Sequence, residues 1–367
     1  MLKAGIVGLP NVGKSTLFNA LNRSRKAAAE NYPFCTIAPN LGVVTVPDRR
    51  LEALGAVVKV GRCVPATIEF LDIAGLVQGA AKGEGLGNRF LSHIREVDAL
   101  VHVVRCFEDP DVHHVTGQPD PLRDIEIVHT ELALADLDAL QRRREKISRD
   151  LKSGDPQAAA EAHVLDRLQA HLNAGRPAVT LPLTREEWIL AGPSHLLTAR
   201  PILLVANVRE GDLPGLEANQ RVAAVRAYGR THQACDTLVV AAQLESDLID
   251  LSPEEAAEYR RELGEPRSGV DDLIQHAVTL LNLRTFFTFN DTEVRAWTVP
   301  AGATAAQAAG RIHTDFERGF IKAETVHWEH LVQAGSVAQA REAGHYRIEG
   351  RDYEVRDGDV LLFRFNV

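Results

Sequence analysis

The chain has 367 residues, enough for two or three domains with a buried core. With 45% hydrophobic and 25% charged residues it reads as an ordinary soluble globular protein, and no apolar run approaches a membrane span. A formal net charge of −9 argues against a surface coated for general nucleic-acid binding.

Cys35, Cys63, Cys106 and Cys235 are scattered with no C-x-x-C spacing, which argues against zinc and against a disulfide framework. The first motif begins at residue 8 and leaves no room for a signal or transit peptide. The expectation is a reduced cytoplasmic protein with no membrane partner.

Residues 3–7 form an apolar, strand-like run. They lead into Gly8-Leu9-Pro10-Asn11-Val12-Gly13-Lys14-Ser15-Thr16, which fits G-x-x-x-x-G-K-[ST], and a helical pattern follows. Glycines let several backbone N–H groups point at one anion, and the helix adds its positive end. Asn11, Val12, Gly13, Lys14, Ser15 and Thr16 are therefore expected to hold the phosphates of a nucleoside triphosphate. Lys14 would reach the β- and γ-phosphates, and the Ser15 hydroxyl would ligate Mg²⁺.

Residues 31–40 are bounded by prolines and unlikely to be helical. Thr36 stands where a GTPase-like switch supplies a second Mg²⁺ ligand. Two β-rich runs, 41–46 and 66–73, follow, and the second ends in Asp72-Ile73-Ala74-Gly75, a D-x-x-G motif. Asp72 at the strand end would hold Mg²⁺ through water, and the Gly75 amide would sense the γ-phosphate. Many GTPases place glutamine next to orient the attacking water. Here the residue is Leu76, which can neither donate nor accept a hydrogen bond. Residues 79–87 are glycine-rich and suit a switch.

A buried strand is expected over 97–106. From 120 to 199 the pattern turns helical, with helices over 125–151 and 158–172 joined by a turn at 153–156. Leu132, Leu134, Leu137 and Leu140 form an apolar stripe, and Arg142, Arg143, Arg144 and Lys146 read as a solvated face. The sheet returns over 201–206 and runs into Asn207-Val208-Arg209-Glu210. GTPases carry Asn-Lys-x-Asp at this place, the Asp accepting from guanine. Val208 and Glu210 weaken guanine reading, so ATP is expected to bind at least as well as GTP, contacted by the Asn207 side chain and the Val208 backbone. A further buried strand is expected over 237–242, without the serine that often touches guanine. From 283 onwards β-type segments (284–289, 293–299, 320–328, 345–349, 352–355 and 360–365) and a helix over 304–312 form a small α+β unit, most simply an interaction module.

These motifs resemble the YchF subfamily of Obg-like P-loop proteins over essentially the full length. The resemblance is carried by residues 8–16, Pro33-Phe34-Cys35-Thr36-Ile37, Asp72-Ile73-Ala74-Gly75-Leu76, Asn207-Val208-Arg209-Glu210 and the end Asp357-Gly358-Asp359-Val360-Leu361-Leu362-Phe363-Arg364-Phe365-Asn366-Val367. It implies an α/β P-loop NTPase fold: an Obg-type G domain over 1–280 with a mostly parallel sheet, interrupted by a helical coiled-coil insertion over 120–199. A β-grasp-like TGS domain over 281–367 would follow. The resemblance also implies ATP preferred over GTP, Mg²⁺ dependence and ribosome binding, including the large subunit, with RNA or protein contacts through the TGS and helical regions. Cys35 matches a cysteine associated with redox regulation in the family. Leu76 matches its hydrophobic replacement of glutamine, and His114 aligns with a suggested substitute catalytic histidine, with His113 beside it. Asn11 resembles an asparagine that positions K⁺ in some relatives.

The expected function is a slow Mg²⁺-dependent ATPase acting as a nucleotide-controlled switch. Its rivals are a GTP-specific translation or ribosome-assembly GTPase and a non-enzymatic, nucleotide-regulated binding protein.

Overall fold

The computed structural model describes residues 2–29, 40–73, 86–110, 119–192, 196–264 and 267–366. Its strands are β1 (Lys3–Val7), β2 (Leu41–Thr45), β3 (Arg62–Val64), β4 (Thr67–Asp72), β5 (Ala99–Arg105), β6 (Ile202–Asn207), β7 (Thr237–Val240), β8 (Leu283–Phe289), β9 (Glu293–Pro300), β10 (Phe320–His327), β11 (Arg347–Glu349) and β12 (Asp359–Phe365). The chain divides into two compact units, Met1–Gly42 with Glu69–Ala277, and Val43–Ile68 with Val278–Val367.

In the first unit the sheet runs β2-β4-β1-β5-β6-β7. β1 lies parallel to both β4 and β5, and β5, β6 and β7 continue in parallel. Every residue of β5 is buried, which explains its near-continuous apolar sequence. The strand order reverses beside β1, so the loop leaving β1 opens at the carboxyl edge of the sheet, where ligands of such folds bind. β7 differs from expectation. It is the sheet's edge strand, and only Val240 of its residues is buried.

The helical region starts at helix Pro121–Lys146, whose N-cap Asp120 accepts from Arg123 N at 3.2 Å. A short helix, Ser148–Lys152, separates it from helix Pro156–Asn173, so the helix expected over 125–151 is broken at Ile147. Leu132 and Leu140 are buried, but Leu134 is 42% exposed. Two residues along a helix turn a side chain about 200°, so Leu134 cannot share the face of Leu132. Arg142, Arg143 and Arg144 each pair with an acid, respectively Asp138, Glu161 and Asp166. Asp136, fully buried, ties this region to the segment before β6: it accepts from Leu197 N at 2.7 Å, Thr198 N at 2.8 Å and Thr198 Oγ1 at 2.6 Å.

The second unit holds a sheet in the order β11-β10-β12-β8-β9-β3. β8 and β9 form an antiparallel pair, β12 runs parallel to β8, and β10 is antiparallel to both β12 and β11. Helix Ala305–Ile312 presents Ala305 and Ala308 to Phe286, Val299 and Leu361. The early segment 43–68 belongs here because β3 adds to the free edge of β9 in parallel, Cys63 opposite Val294. Arg50 reinforces it, reaching Asp357 at 2.6 Å and lying 5.2 Å from the Phe287 ring centre. The sequence reading kept this segment with the first domain, because an edge pairing across so many residues leaves no local signal. Residues 352–355 make only a bridge, Glu354 to Thr304, rather than a strand. Helices Trp328–Ala334 and Val337–Glu342, which the sequence reading did not foresee, follow β10.

Candidate nucleotide site

The turn after β1 uses backbone conformations that few residues adopt. Gly8 has φ +149°, and a Cβ there would stand 2.4 Å from the Val103 carbonyl oxygen. Gly13 has φ +97°, and its Cβ would meet Asn207 Nδ2 at 2.2 Å. Asn11 is also left-handed, with φ 61°. The loop then enters helix Lys14–Ala29, with Leu17 N donating to Gly13 O at 3.0 Å.

Lys14 is 7% exposed, and its ammonium donates to Leu9 O at 2.7 Å. Burial lowers its pKa to about 8, with the Asp72 charge opposing the shift. Ser15 Oγ donates to Asp72 Oδ2 at 3.1 Å, so the two residues expected to serve Mg²⁺ meet from the helix and from the end of β4. Asp72 Oδ1 is buried and has no hydrogen-bond partner among the described residues. A hydroxyl beside a carboxylate with one unsatisfied oxygen is the donor set a Mg²⁺ ion takes, so these residues fit that ion.

Asn207 braces the loop from the end of β6. Its side chain is almost fully buried, donating from Nδ2 to Val12 O at 2.9 Å and accepting at Oδ1 from Ala242 N at 3.1 Å. Asn207→Ala is expected to cost about 2–3 kcal/mol by stranding both backbone groups, measurable as a lowered urea midpoint.

A cleft of about 540 Å³ extends from Asn11, Gly13 and Thr16 to residues 207–211 and Ala242, Gln243 and Leu244. Val208 lines it and is itself buried, its N–H donating to Val240 O at 3.0 Å. Glu210 lines it too, and its Oε1 accepts from the Tyr259 hydroxyl at 2.5 Å. Phe107, just after β5, forms part of the wall. The buried Arg105 holds its loop by donating to Phe107 O at 3.2 Å and Asp109 O at 3.1 Å. Arg209 reaches Asp109 at 3.1 Å and lies 5.7 Å from the Phe107 ring centre. The cleft thus runs from the glycine loop at one end to a wall at the other that sets Phe107, Val208 and Leu244 among the polar Asp109, Arg209, Glu210, Gln243 and Asp247. Sequence reasoning missed Phe107, whose only signal is its place after a fully buried strand, and Tyr259, which has none.

His102 lies within β5, buried, with Nε2 lacking a hydrogen-bond partner among the described residues. Burial and then the charge of Lys14 pull its pKa down to about 3, so it is neutral.

These features can be set beside known proteins. A family model for the C-terminal region of YchF GTPases, described as a protein of unknown function, matches residues 283–366. Another, described as a 50S ribosome-binding GTPase, matches residues 3–145. The ribosome-binding ATPase YchF of Bacillus subtilis strain 168 is 50% identical over 366 residues, covering 100% of both chains. The chain belongs to the YchF family. The ribosome-binding ATPase YchF of Escherichia coli O157:H7 is 49% identical over 365 residues, covering 100% of this chain and 99% of that one. The solved YchF GTPase of Schizosaccharomyces pombe is 34% identical with a TM-score of 0.88, covering 99% of this chain and 97% of its own. The YchF fold, a P-loop G domain with a further C-terminal domain, is therefore that of this chain.

In this YchF chain the expected Thr36, Cys35, Gly75, Leu76, His113 and His114 lie outside the described residues. The other cysteines, Cys63, Cys106 and Cys235, are free thiols. Burial pushes Cys106 up to about 12 and Cys235 to about 11, so neither is a ready nucleophile. No described helix is long and apolar enough to cross a membrane.

Proposed function

We propose that this protein is a slow Mg²⁺-dependent ATPase, with ATP preferred over GTP, whose nucleotide state controls a ribosome-binding surface. The observation that carries the base preference is the cleft wall at Val208 and Glu210. Valine stands where a guanine reader has lysine, and the longer carboxylate is engaged by a tyrosine. The ribosome and the ATPase activity come from the names of relatives that match along the whole chain.

In this reading Lys14 and the loop amides hold the phosphates. Mg²⁺, bound by Ser15 Oγ and through water by Asp72, would supply charge neutralisation on the β- and γ-phosphates. Thr36 completes the metal's ligands, Gly75 senses the γ-phosphate, and His114 orients water in place of the missing glutamine. Asn11 is the candidate K⁺ contact. Save that segment 43–68 belongs to the second unit, the G domain is assigned to 1–280 with its insertion at 120–199, and the TGS domain to 281–367. The latter two regions supply the contacts to RNA or protein.

The test is equilibrium binding of ATP and GTP side by side with Mg²⁺, on wild type and on Val208→Lys/Glu210→Asp. Wild type should prefer ATP, and the double variant should move towards GTP. A large wild-type preference for GTP would sink the reading. It would favour instead the GTPase named by the 50S ribosome-binding model and by the Schizosaccharomyces relative. Single-turnover hydrolysis on wild type and His114→Ala separates enzyme from binding protein, since a rate no faster than buffer in both would leave only binding.

A further inference from the structure

Guanine presents its N1–H and 2-amino N–H side by side. A carboxylate that reads both must lay both oxygens along the edge of the base. Adenine presents an acceptor and a C–H at that edge, so it draws nothing from such a two-oxygen arrangement. In this chain Glu210 lines the cleft with one of its oxygens already committed. Tyr259 Oη donates to Oε1 at 2.5 Å, at the short end of O–H···O distances.

Both partners stand on capped elements, although Tyr259 itself is 39% exposed. Tyr259 lies on helix Pro253–Glu262, which is fixed at its start by a capping box: Ser252 N donates to Glu255 Oε2 at 2.9 Å and Glu255 N to Ser252 Oγ at 3.3 Å. The next residue, Arg260, pairs with the buried Glu245 at 3.0 Å, and Glu245 also accepts from Gly269 N at 2.7 Å and Ser268 Oγ at 3.0 Å. Glu210 opens the turn Glu210–Ala218 after β6, where Arg209 N donates to Asp212 Oδ2 at 3.1 Å. The bond to Glu210 is the first cause raising the Tyr259 pKa, so the phenol keeps its proton and remains the donor.

We infer that Tyr259 is a positioning residue for base selection: its hydroxyl holds the Glu210 carboxylate out of the two-oxygen arrangement guanine requires. The inference rests on the proposed preference for ATP and names a group that enforces it. The two residues are 49 positions apart, which hides the pair from any local motif.

The test is calorimetric binding of ATP, GTP and ITP with Mg²⁺ to the full chain, as wild type, Tyr259→Phe, Glu210→Gln and the double variant. Tyr259→Phe is expected to tighten GTP about fivefold, the worth of one freed hydrogen bond, while ATP changes by less than about twofold. ITP, lacking the 2-amino group, should gain less than GTP. In the Glu210→Gln background the tyrosine change should have no effect on the ratio. Equal weakening of all three nucleotides by Tyr259→Phe would mean a merely structural role and overturn the inference. An ATP-preferring wild type whose ratio is unmoved by Tyr259→Phe would overturn it and leave the proposed function standing. A GTP-preferring wild type removes both.

Discussion

Lys14→Met is expected to lower single-turnover ATP hydrolysis by roughly 10³-fold, and to do so without weakening the empty fold. The ammonium is buried against Leu9 O with its pKa lowered to about 8 from 10.5. A gap of that size corresponds to roughly 3 kcal/mol between its two protonation states. The folded pKa lies below the unfolded one. The cost of holding the charge is therefore fully present below about pH 8 and relieved as pH rises towards 10.5. Urea stability of the empty wild type should climb across that window, and Lys14→Met should flatten the climb. A triphosphate adds negative charge beside the ammonium. ATP binding above pH 8 should then take up a proton, with affinity falling by up to about tenfold per pH unit. Calorimetry in buffers of different ionisation enthalpy reads that proton directly. A variant that hydrolyses ATP at the wild-type rate, or a wild type that binds without proton uptake at pH 9, would remove Lys14 from this role.

The sequence revealed the site in proportion to how local its chemistry is. The loop at residues 8–16 could be read at once, because the strand before it, the glycines within it and the helix after it are contiguous. Gly8, Asn11 and Gly13 within it all have positive φ. The Ser15–Asp72 contact was legible at one remove, since each residue carried its own motif and the parallel pairing of β1 with β4 brings them together. The Asn207 brace was half legible. Its position was marked by the end of β6, but its two buried hydrogen bonds to backbone groups of Val12 and Ala242 depend on tertiary closure. The Tyr259–Glu210 pair and the addition of β3 to β9 were invisible, because both join distant segments by contacts that impose no pattern on neighbouring residues. In the same way β7 looked like a core strand, because β-branched and apolar residues mark a strand without saying whether it lies at the centre or at the edge of a sheet.

Asp72→Asn should invert the way Mg²⁺ affects binding. In wild type the carboxylate repels a metal-free triphosphate and attracts its magnesium complex, through a buried oxygen that no other described residue satisfies. Asparagine keeps the shape and loses the charge. Affinity for ATP in EDTA should therefore improve a few-fold, whereas affinity with Mg²⁺ should fall by about tenfold or more and turnover by roughly 10²-fold. Ser15→Ala provides the contrast, since it removes the hydroxyl that bonds Asp72 at 3.1 Å yet leaves the negative charge. It should lose the Mg²⁺ benefit without gaining metal-free affinity. The Asp72 charge also supports the protonated form of Lys14, so Asp72→Asn should move proton uptake on ATP binding to lower pH than in wild type. That shift is read by calorimetry without any turnover. If Asp72→Asn weakened ATP equally with and without Mg²⁺ and left the proton uptake where it was, Asp72 would be a structural partner of Ser15, and the metal would have to be held elsewhere.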